Sequence, residues 1–149
     1  MSVPTSRQSK PFRRTRSDHA SETAEDYVEA IAETLAAQGV CRNADLARLF
    51  GVSHVTVNKT VARLQREGLV DTEPYGPLEL TASGERLAQA SRNRHDIVLR
   101  FLLSLGVSRA VAEIDSEGIE HHVSKETLAA FESRLENAPP ASAEGGPAK

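Results

Sequence analysis

Apolar residues recur along the chain at helical intervals, separated by short turn signals. In the first such segment Tyr27, Ile31 and Leu35 fall on one face of a helix. Thr23 is a suitable cap before them, and Gly39 is a suitable terminator after them. The pattern predicts an amphipathic helix between these two residues.

Two further helices are predicted in close succession. Asn43 is expected to cap a short helix that ends at Gly51, and Ser53 a second helix that ends at Gly68. The tight turn between them is typical of a helix-turn-helix. The apolar residues expected to point inward from the second helix are Val57, Val61 and Leu64.

A hairpin and three more helices are predicted beyond this motif. Two β-like runs, Leu69–Thr72 and Leu78–Thr81, flank a turn rich in Pro and Gly and predict a small wing. A long helix follows to about Leu105, and two shorter helices are capped by Ser108 and Ser124. The predicted fold class is mainly α, with an N-terminal winged helix-turn-helix, a small β-hairpin wing and then an all-helical domain.

The two ends of the chain lack this periodicity. Residues 1–20 mix Arg, Ser and Pro and are predicted to form a disordered basic arm. Residues 137–149 are rich in Pro, Gly and Ala and are predicted to be a disordered tail. Between the ends we expect a winged-helix domain over residues 21–82 and a helical domain over residues 83–136.

The second helix of the predicted helix-turn-helix presents polar residues in its first turns, where recognition helices meet base edges. Asparagine can read adenine and lysine can read guanine, whereas arginines further along the helix suit phosphates. The candidate DNA contacts are Arg42, His54, Thr56, Asn58, Lys59 and Arg63. The alternative, a winged helix used for protein contacts, stays open because the pattern is only moderately specific.

Carboxylates and imidazoles occur at ligand spacing in two segments. Asp26 and Glu29 are three residues apart, roughly 60° from one another around a helix, although such a pair alone is more often a solvated face. Glu117, Glu120 and His121 sit at positions i, i+3 and i+4, on one face of a helix. The sequence EGIEHH is less easily explained as surface, since Gly inside a helix costs stability.

The remaining histidines and the single cysteine complete the set of candidate ligands. His95 lies in the long helix, opposite in phase to the apolar run that follows it. Carboxylates with imidazoles and no thiolate suit a divalent ion such as Mn²⁺ or Fe²⁺. His122 points away from its neighbour and is expected to pack beside a ligand. The residues not expected to bind metal are His19, His54 and Cys41.

Charge is distributed in a way that fits both constellations. The net charge is −3, but basic residues concentrate in residues 1–20 and 42–66, and acidic residues around 22–33 and 113–120. A basic DNA face and an acidic metal pocket would produce this split. Cys41 has no partner for an internal disulfide, and no apolar run approaches the ~20 residues of a membrane span. We therefore expect a cytoplasmic protein.

Taken together, these motifs resemble those of the manganese transport regulators, a branch of the diphtheria toxin repressor family of metal-dependent repressors. The resemblance runs from about Thr23 to Phe131. It rests on EDYVEAI, on DLARLFGVSHVTVNKTVARLQREGLV, on LTASGERLA, on RNRHDIVLRFLLSLGV and on DSEGIEHHVSKETL. These motifs in this order are highly specific.

The resemblance implies a binuclear Mn²⁺ site in which Glu29 and Glu120 can bridge two ions. The ligands that it implies are Asp26, Glu29, His95, Glu117, Glu120 and His121. It also implies a homodimer built by the C-terminal helices, so that the predicted helical domain over residues 83–136 is the metal-binding and dimerisation domain. The implied partner is double-stranded operator DNA, with no membrane and no small organic substrate, and the metal-loaded form would repress manganese-uptake genes.

Two alternatives remain open at this point. Iron-responsive relatives carry Cys or Met at the position of Glu117, so this residue favours manganese over an iron-responsive or metal-independent winged-helix regulator. Carboxylates and histidines around paired metals also serve hydrolases. Six protein ligands leave little room for a substrate, and no Ser, Lys or Cys nucleophile lies beside them, so we do not expect an enzyme.

Overall fold

A computed structural model describes residues 9–137 of the chain, with side chains for residues 18–137. The rest of the predicted arm, residues 1–8, and of the predicted tail, residues 138–149, lies outside the described residues. The elements are α1 (Ser9–Gln38), α2 (Asn43–Phe50), α3 (His54–Arg66), β1 (Val70–Asp71), β2 (Glu79–Leu80), α4 (Ala82–Ser104), α5 (Arg109–Ile119) and α6 (Lys125–Asn137). This order confirms the predicted fold class.

The first helix begins earlier than predicted. It starts at Ser9, so residues 9–20 of the predicted disordered arm are helical. Thr23, expected to be the N-cap, donates its hydroxyl to the carbonyl of His19 at 2.9 Å, which is the pattern of a helix interior. This extension is possible because the only proline within residues 9–20, Pro11, lies in the first turn, where a helix tolerates the missing N–H.

The chain divides into two compact units after Asn93, inside α4. The predicted domain boundary was at residue 82, before this helix. The difference arises because the first turns of α4 belong to the first unit: Leu87 packs against its core, and Ala88 and Ser91 are buried.

The first unit holds its core between α1, α2, α3 and the hairpin. The largest fully buried apolar side chains of this core are Ile31, Leu46, Val57, Leu64, Val70 and Leu78. Tyr27 of α1 stacks on Phe50 of α2 with ring centroids 4.6 Å apart. The predicted inward face of α3 is confirmed, so the opposite face of that helix is directed to solvent.

The hairpin between β1 and β2 forms the predicted wing, which we define as residues 69–80. Its strands pair antiparallel, with Val70 opposite Leu80 and Asp71 opposite Glu79. Gly84, at the start of α4, lies so close to the carbonyl of Leu69 that any Cβ would overlap it. Glycine is therefore required where α4 meets the wing.

The second unit contains the rest of α4 with α5 and α6. Phe101 of α4 stacks on Phe131 of α6 with ring centroids 4.0 Å apart. The predicted caps are present, since Ser108 and Ser124 each accept a backbone N–H three residues ahead. None of the helices in the described part of the chain is long and apolar enough to span a membrane.

Cys41 gives a direct test of the first unit's core. The residue is fully buried, and this burial, reinforced by the nearby charge of Asp45, raises the pKa of its thiol from 9.0 to about 11. The thiolate is the reactive form, so at about pH 8 two pKa units leave roughly 100-fold less of it. We expect iodoacetamide to label the folded protein at least that much more slowly than the urea-unfolded protein. Equal rates would show that this core is open.

Candidate metal centre and nucleic-acid interface

The helix-turn-helix is held in place by local backbone chemistry. Gly51 ends α2 in the left-handed conformation, with φ +63°, and allows the sharp turn. Ser53 then caps α3 by accepting the N–H of Thr56 at 3.1 Å. Four of the six predicted DNA contacts are exposed in the first two turns of α3: His54, Thr56, Asn58 and Lys59.

A groove of about 710 Å³ runs between α3 and the wing. Three of the predicted DNA contacts, Arg42, His54 and Asn58, line it. The wing contributes Glu73 and Tyr75 to the same groove. Residues from three separate segments therefore share one surface of the first unit, which sequence spacing alone could not establish.

Some of the polar groups on this surface already have intramolecular partners. The side-chain oxygen of Asn58 accepts from the amide of Asn43 on α2 at 2.7 Å. The hydroxyl of Thr56 lies 3.0 Å from that of Ser53. These contacts fix the orientation of both side chains before any nucleic acid is bound.

Arg63 has a structural environment that the sequence analysis did not foresee. Its side chain is half-buried, and it donates from Nη2 to the carbonyl of Ala20 on α1 at 3.1 Å. Its Nε lies 3.6 Å from a carboxylate oxygen of Glu67. These contacts hold α3 against α1, whereas the prediction gave Arg63 a phosphate as its partner.

The first unit carries one pair of predicted metal ligands. Asp26 and Glu29 lie one turn apart on α1, and both are half-buried. The residues between them, Tyr27 and Val28, are buried. The two carboxylates therefore lie beside apolar core residues. This position disfavours the alternative that the pair is simply part of a solvated helix face.

The second unit brings together three of its predicted ligands. Glu120 is buried, with its Oε2 2.7 Å from Nδ1 of His95 on α4. Its other oxygen lies 3.4 Å from Nε2 of His121, whose side chain is also buried. Removing a carboxylate from water is costly unless it is paired. The two imidazoles beside Glu120 therefore compensate for the burial of its carboxylate.

This donor set fits a divalent transition ion. Carboxylate oxygen and imidazole nitrogen are ligands for Mn²⁺, Fe²⁺ and Zn²⁺, and no thiolate is among the predicted ligands to select a softer ion. An ion bound here would also displace any proton held between the carboxylate and the imidazoles. The residues of the second unit that would hold such an ion are Glu120, His95 and His121.

The predicted helical face through Glu117, Glu120 and His121 is only partly correct. Helix α5 ends at Ile119, Glu120 is its C-cap, and His121 lies in the following turn. Glu117 is exposed, one turn before the buried Glu120. Beyond this C-cap, the N–H of His122 donates to the carbonyl of Ile119, three residues back, in a tight turn.

Helix α5 leaves an apolar face exposed. Val111, Ile114 and Ile119 are 47%, 74% and 37% exposed. A depression of about 550 Å³ beside them includes Gly118, where an added Cβ would meet nothing within 4 Å, and also His122. Contiguous exposed apolar groups of this kind mark interaction surfaces.

Comparisons with known proteins agree with both halves of this arrangement. Residues 19–78 match the N-terminal DNA-binding domain of the iron dependent repressors, and residues 81–144 match their metal binding and dimerisation domain. The chain is 50% identical over 120 residues to the transcriptional regulator MntR of Escherichia coli O157:H7, covering 80% of this chain and 77% of that protein. It is 37% identical over 100 residues to the HTH-type transcriptional regulator MntR of Lysinibacillus sphaericus, covering 67% and 72%.

A solved structure extends the likeness to three dimensions. A manganese-dependent transcriptional repressor in complex with manganese matches with a TM-score of 0.68 at 32% identity, covering 76% of this chain. The present chain spans about half of that protein, 52% of its length. The match confirms the fold and the family that the sequence motifs resemble. The chain therefore belongs to the iron-dependent, or diphtheria toxin repressor, family of metal-dependent transcriptional regulators.

Proposed function

We propose that this regulator responds to manganese, binds operator DNA as a homodimer when it is metal-loaded, and then represses manganese-uptake genes. The observation that carries the proposal is the buried Glu120, with an imidazole nitrogen beside each of its oxygens. The names of the similar proteins support the choice of metal. A chain with this function works in the cytoplasm, where operator DNA lies.

The proposed site holds two Mn²⁺ ions per subunit. Glu120, His95 and His121 would supply the ligands that lie close together in the second unit, and Glu117 a further oxygen from α5. Asp26 and Glu29 would supply carboxylates from α1, an assignment that rests on the sequence resemblance and on their half-buried positions. The full set is rich in oxygen, as the hard Mn²⁺ ion prefers.

The proposed ligands are divided between the two units, so metal binding can alter DNA binding without any ion touching DNA. Ligand binding shifts a protein toward the arrangement that binds the ligand better. In a homodimer, the apolar face of α5 would meet its copy, and the two α3 helices would enter successive major grooves about one helical turn apart. His54, Asn58 and Lys59 are the residues proposed to reach base edges.

A panel of metals tests this proposal. Chelator-treated protein is titrated onto fluorescent double-stranded DNA from upstream of a manganese-uptake gene, with Mn²⁺, anaerobic Fe²⁺, Zn²⁺ or Mg²⁺. We expect Mn²⁺ to tighten binding by a factor between about 5 and 150, the usual range of allosteric coupling, and Mg²⁺ to have no effect. Equal binding without metal would indicate a metal-independent regulator, and activation by Fe²⁺ at lower concentration than Mn²⁺ an iron-responsive one.

A further inference from the structure

The wing has an unusual charge for a DNA-binding element. Residues 69–80 include Asp71, Glu73 and Glu79, and neither Lys nor Arg. Backbone phosphates dominate affinity for DNA and would repel these carboxylates. If the wing contributes to binding, it must do so through an uncharged group.

Tyr75 at the tip of the wing is that kind of group. Its side chain is fully exposed, and its φ of +60° is the only positive φ at a non-glycine residue in the described chain. Such a conformation is sparsely populated for a tyrosine and persists only when the surroundings fix it. The turn is closed by the N–H of Gly76, which donates to the carbonyl of Glu73 at 2.8 Å.

Arg42 fixes this tip from the N-terminus of α2. Its Nη1 donates to the carbonyl of Tyr75 at 3.3 Å. Its own backbone N–H donates to the carboxylate of Asp45 at 2.9 Å, which anchors the backbone of the arginine at the N-cap of α2. The guanidinium therefore bridges the start of the helix-turn-helix and the tip of the wing, across the groove lined by α3.

The base of the wing has anchors that do not depend on Arg42. The N–H of Leu78 donates to the carbonyl of Cys41 at 2.7 Å. Gln65 of α3 donates from its side chain to the carbonyl of Thr72 at 3.2 Å. Loss of the Arg42 side chain is thus expected to loosen the tip while the hairpin itself stays folded.

We propose, building on the proposed DNA-binding function, that Tyr75 is the wing's contact with double-stranded DNA and that Arg42 is the residue that positions it. The tyrosine ring packs on the sugar of the backbone, and its hydroxyl donates to a phosphate oxygen. This replaces our sequence-based expectation that Arg42 itself contacts DNA. A tip held in one place loses less conformational freedom on binding.

A double-mutant cycle distinguishes an Arg42 that positions Tyr75 from an Arg42 that contacts DNA directly. Wild type, R42Q, Y75A and the double variant are titrated onto operator DNA with saturating Mn²⁺ at several salt concentrations. We expect each single change to weaken binding about fivefold, the worth of one hydrogen bond, and the double change to cost little more than either one. The salt slope should stay constant, because no cation has been removed from a phosphate. R48Q is the matched control: an exposed arginine of α2, paired with Asp45, that should bind as wild type.

A second readout does not involve DNA. In the free protein, R42Q should speed hydrogen exchange at the amide of Gly76 about fivefold, as expected for the loss of one stabilising hydrogen bond, and R48Q should not. An unchanged exchange rate would overturn the positioning role. If the losses of DNA affinity in R42Q and Y75A multiply in the double variant, and the salt dependence of binding falls by about one per site, Arg42 is itself a phosphate contact. Wild-type DNA affinity in Y75A would remove Tyr75 from the interface. Wild-type protein that fails to bind operator DNA in Mn²⁺ would instead contradict the proposed function.

Discussion

Replacing Glu120 with Gln is expected to abolish the effect of Mn²⁺ on DNA binding and to leave a folded dimer. The amide fills the same space between His95 and His121 but lacks the charge that attracts a cation. Changes around metal ligands cost about 10- to 100-fold in metal affinity, and loss of the central carboxylate should exceed that range. Calorimetric Mn²⁺ titration and fluorescence anisotropy on operator DNA measure the two losses.

The matched control for this change is Glu113→Gln. Glu113 lies on the same helix, α5, but its side chain is exposed and paired with Arg109. Circular dichroism and gel filtration should show both variants folded and dimeric, since the apolar face of α5 is untouched. If E120Q binds Mn²⁺ as tightly as E113Q does, and if Mn²⁺ increases the DNA affinity of both variants equally, the assignment of the metal site is refuted.

The second large effect is a contrast between Lys59 and Arg63, both of which were predicted from the sequence to contact DNA. Lys59 is exposed on α3, and removal of its side chain should cost about 1–3 kcal/mol of DNA-binding free energy. The free energy of unfolding should not change, because the side chain is not part of the core. Anisotropy on operator DNA and urea unfolding measure these quantities for Lys59→Ala.

Arg63→Ala should show the reverse pattern. The change removes the hydrogen bond to the carbonyl of Ala20 and should lower the free energy of unfolding by about 1 kcal/mol, with little added for the largely solvated contact to Glu67. Operator affinity measured on fully folded protein should fall less than in Lys59→Ala. Unchanged stability together with a large loss of DNA affinity would return Arg63 to the DNA interface.

The elements of this fold were predictable because local signals agree with one another. Val57, Val61 and Leu64 recur at helical spacing, and the cap at Ser53 and the terminator at Gly68 bound the same helix. The start of α1 was not predictable in this way. Residues 9–20 are mostly polar and continue the helix without apolar periodicity. The lack of this periodicity led to the prediction that they are disordered.

For the candidate metal site, the sequence indicated residue types better than geometry. The EGIEHH motif indicated ligands, but helical spacing could not show that α5 ends before Glu120 and turns His121 onto the same carboxylate from the following loop. Long-range contacts were outside the reach of spacing altogether. From the sequence, Arg63 was predicted to contact a phosphate and Arg42 to contact DNA, yet each donates to a backbone carbonyl more than thirty residues away.

In the proposed mechanism, metal and operator DNA stabilise the same state of this regulator. This mechanism is tested most directly by measuring Mn²⁺ affinity twice, by calorimetry without DNA and with saturating operator DNA. Binding linkage is reciprocal, so the operator must tighten Mn²⁺ binding by the same factor by which Mn²⁺ tightens operator binding. We expect equal factors, each greater than about 5, in the wild type and factors near one in E120Q. A Mn²⁺ affinity that is identical with and without operator DNA would contradict this mechanism.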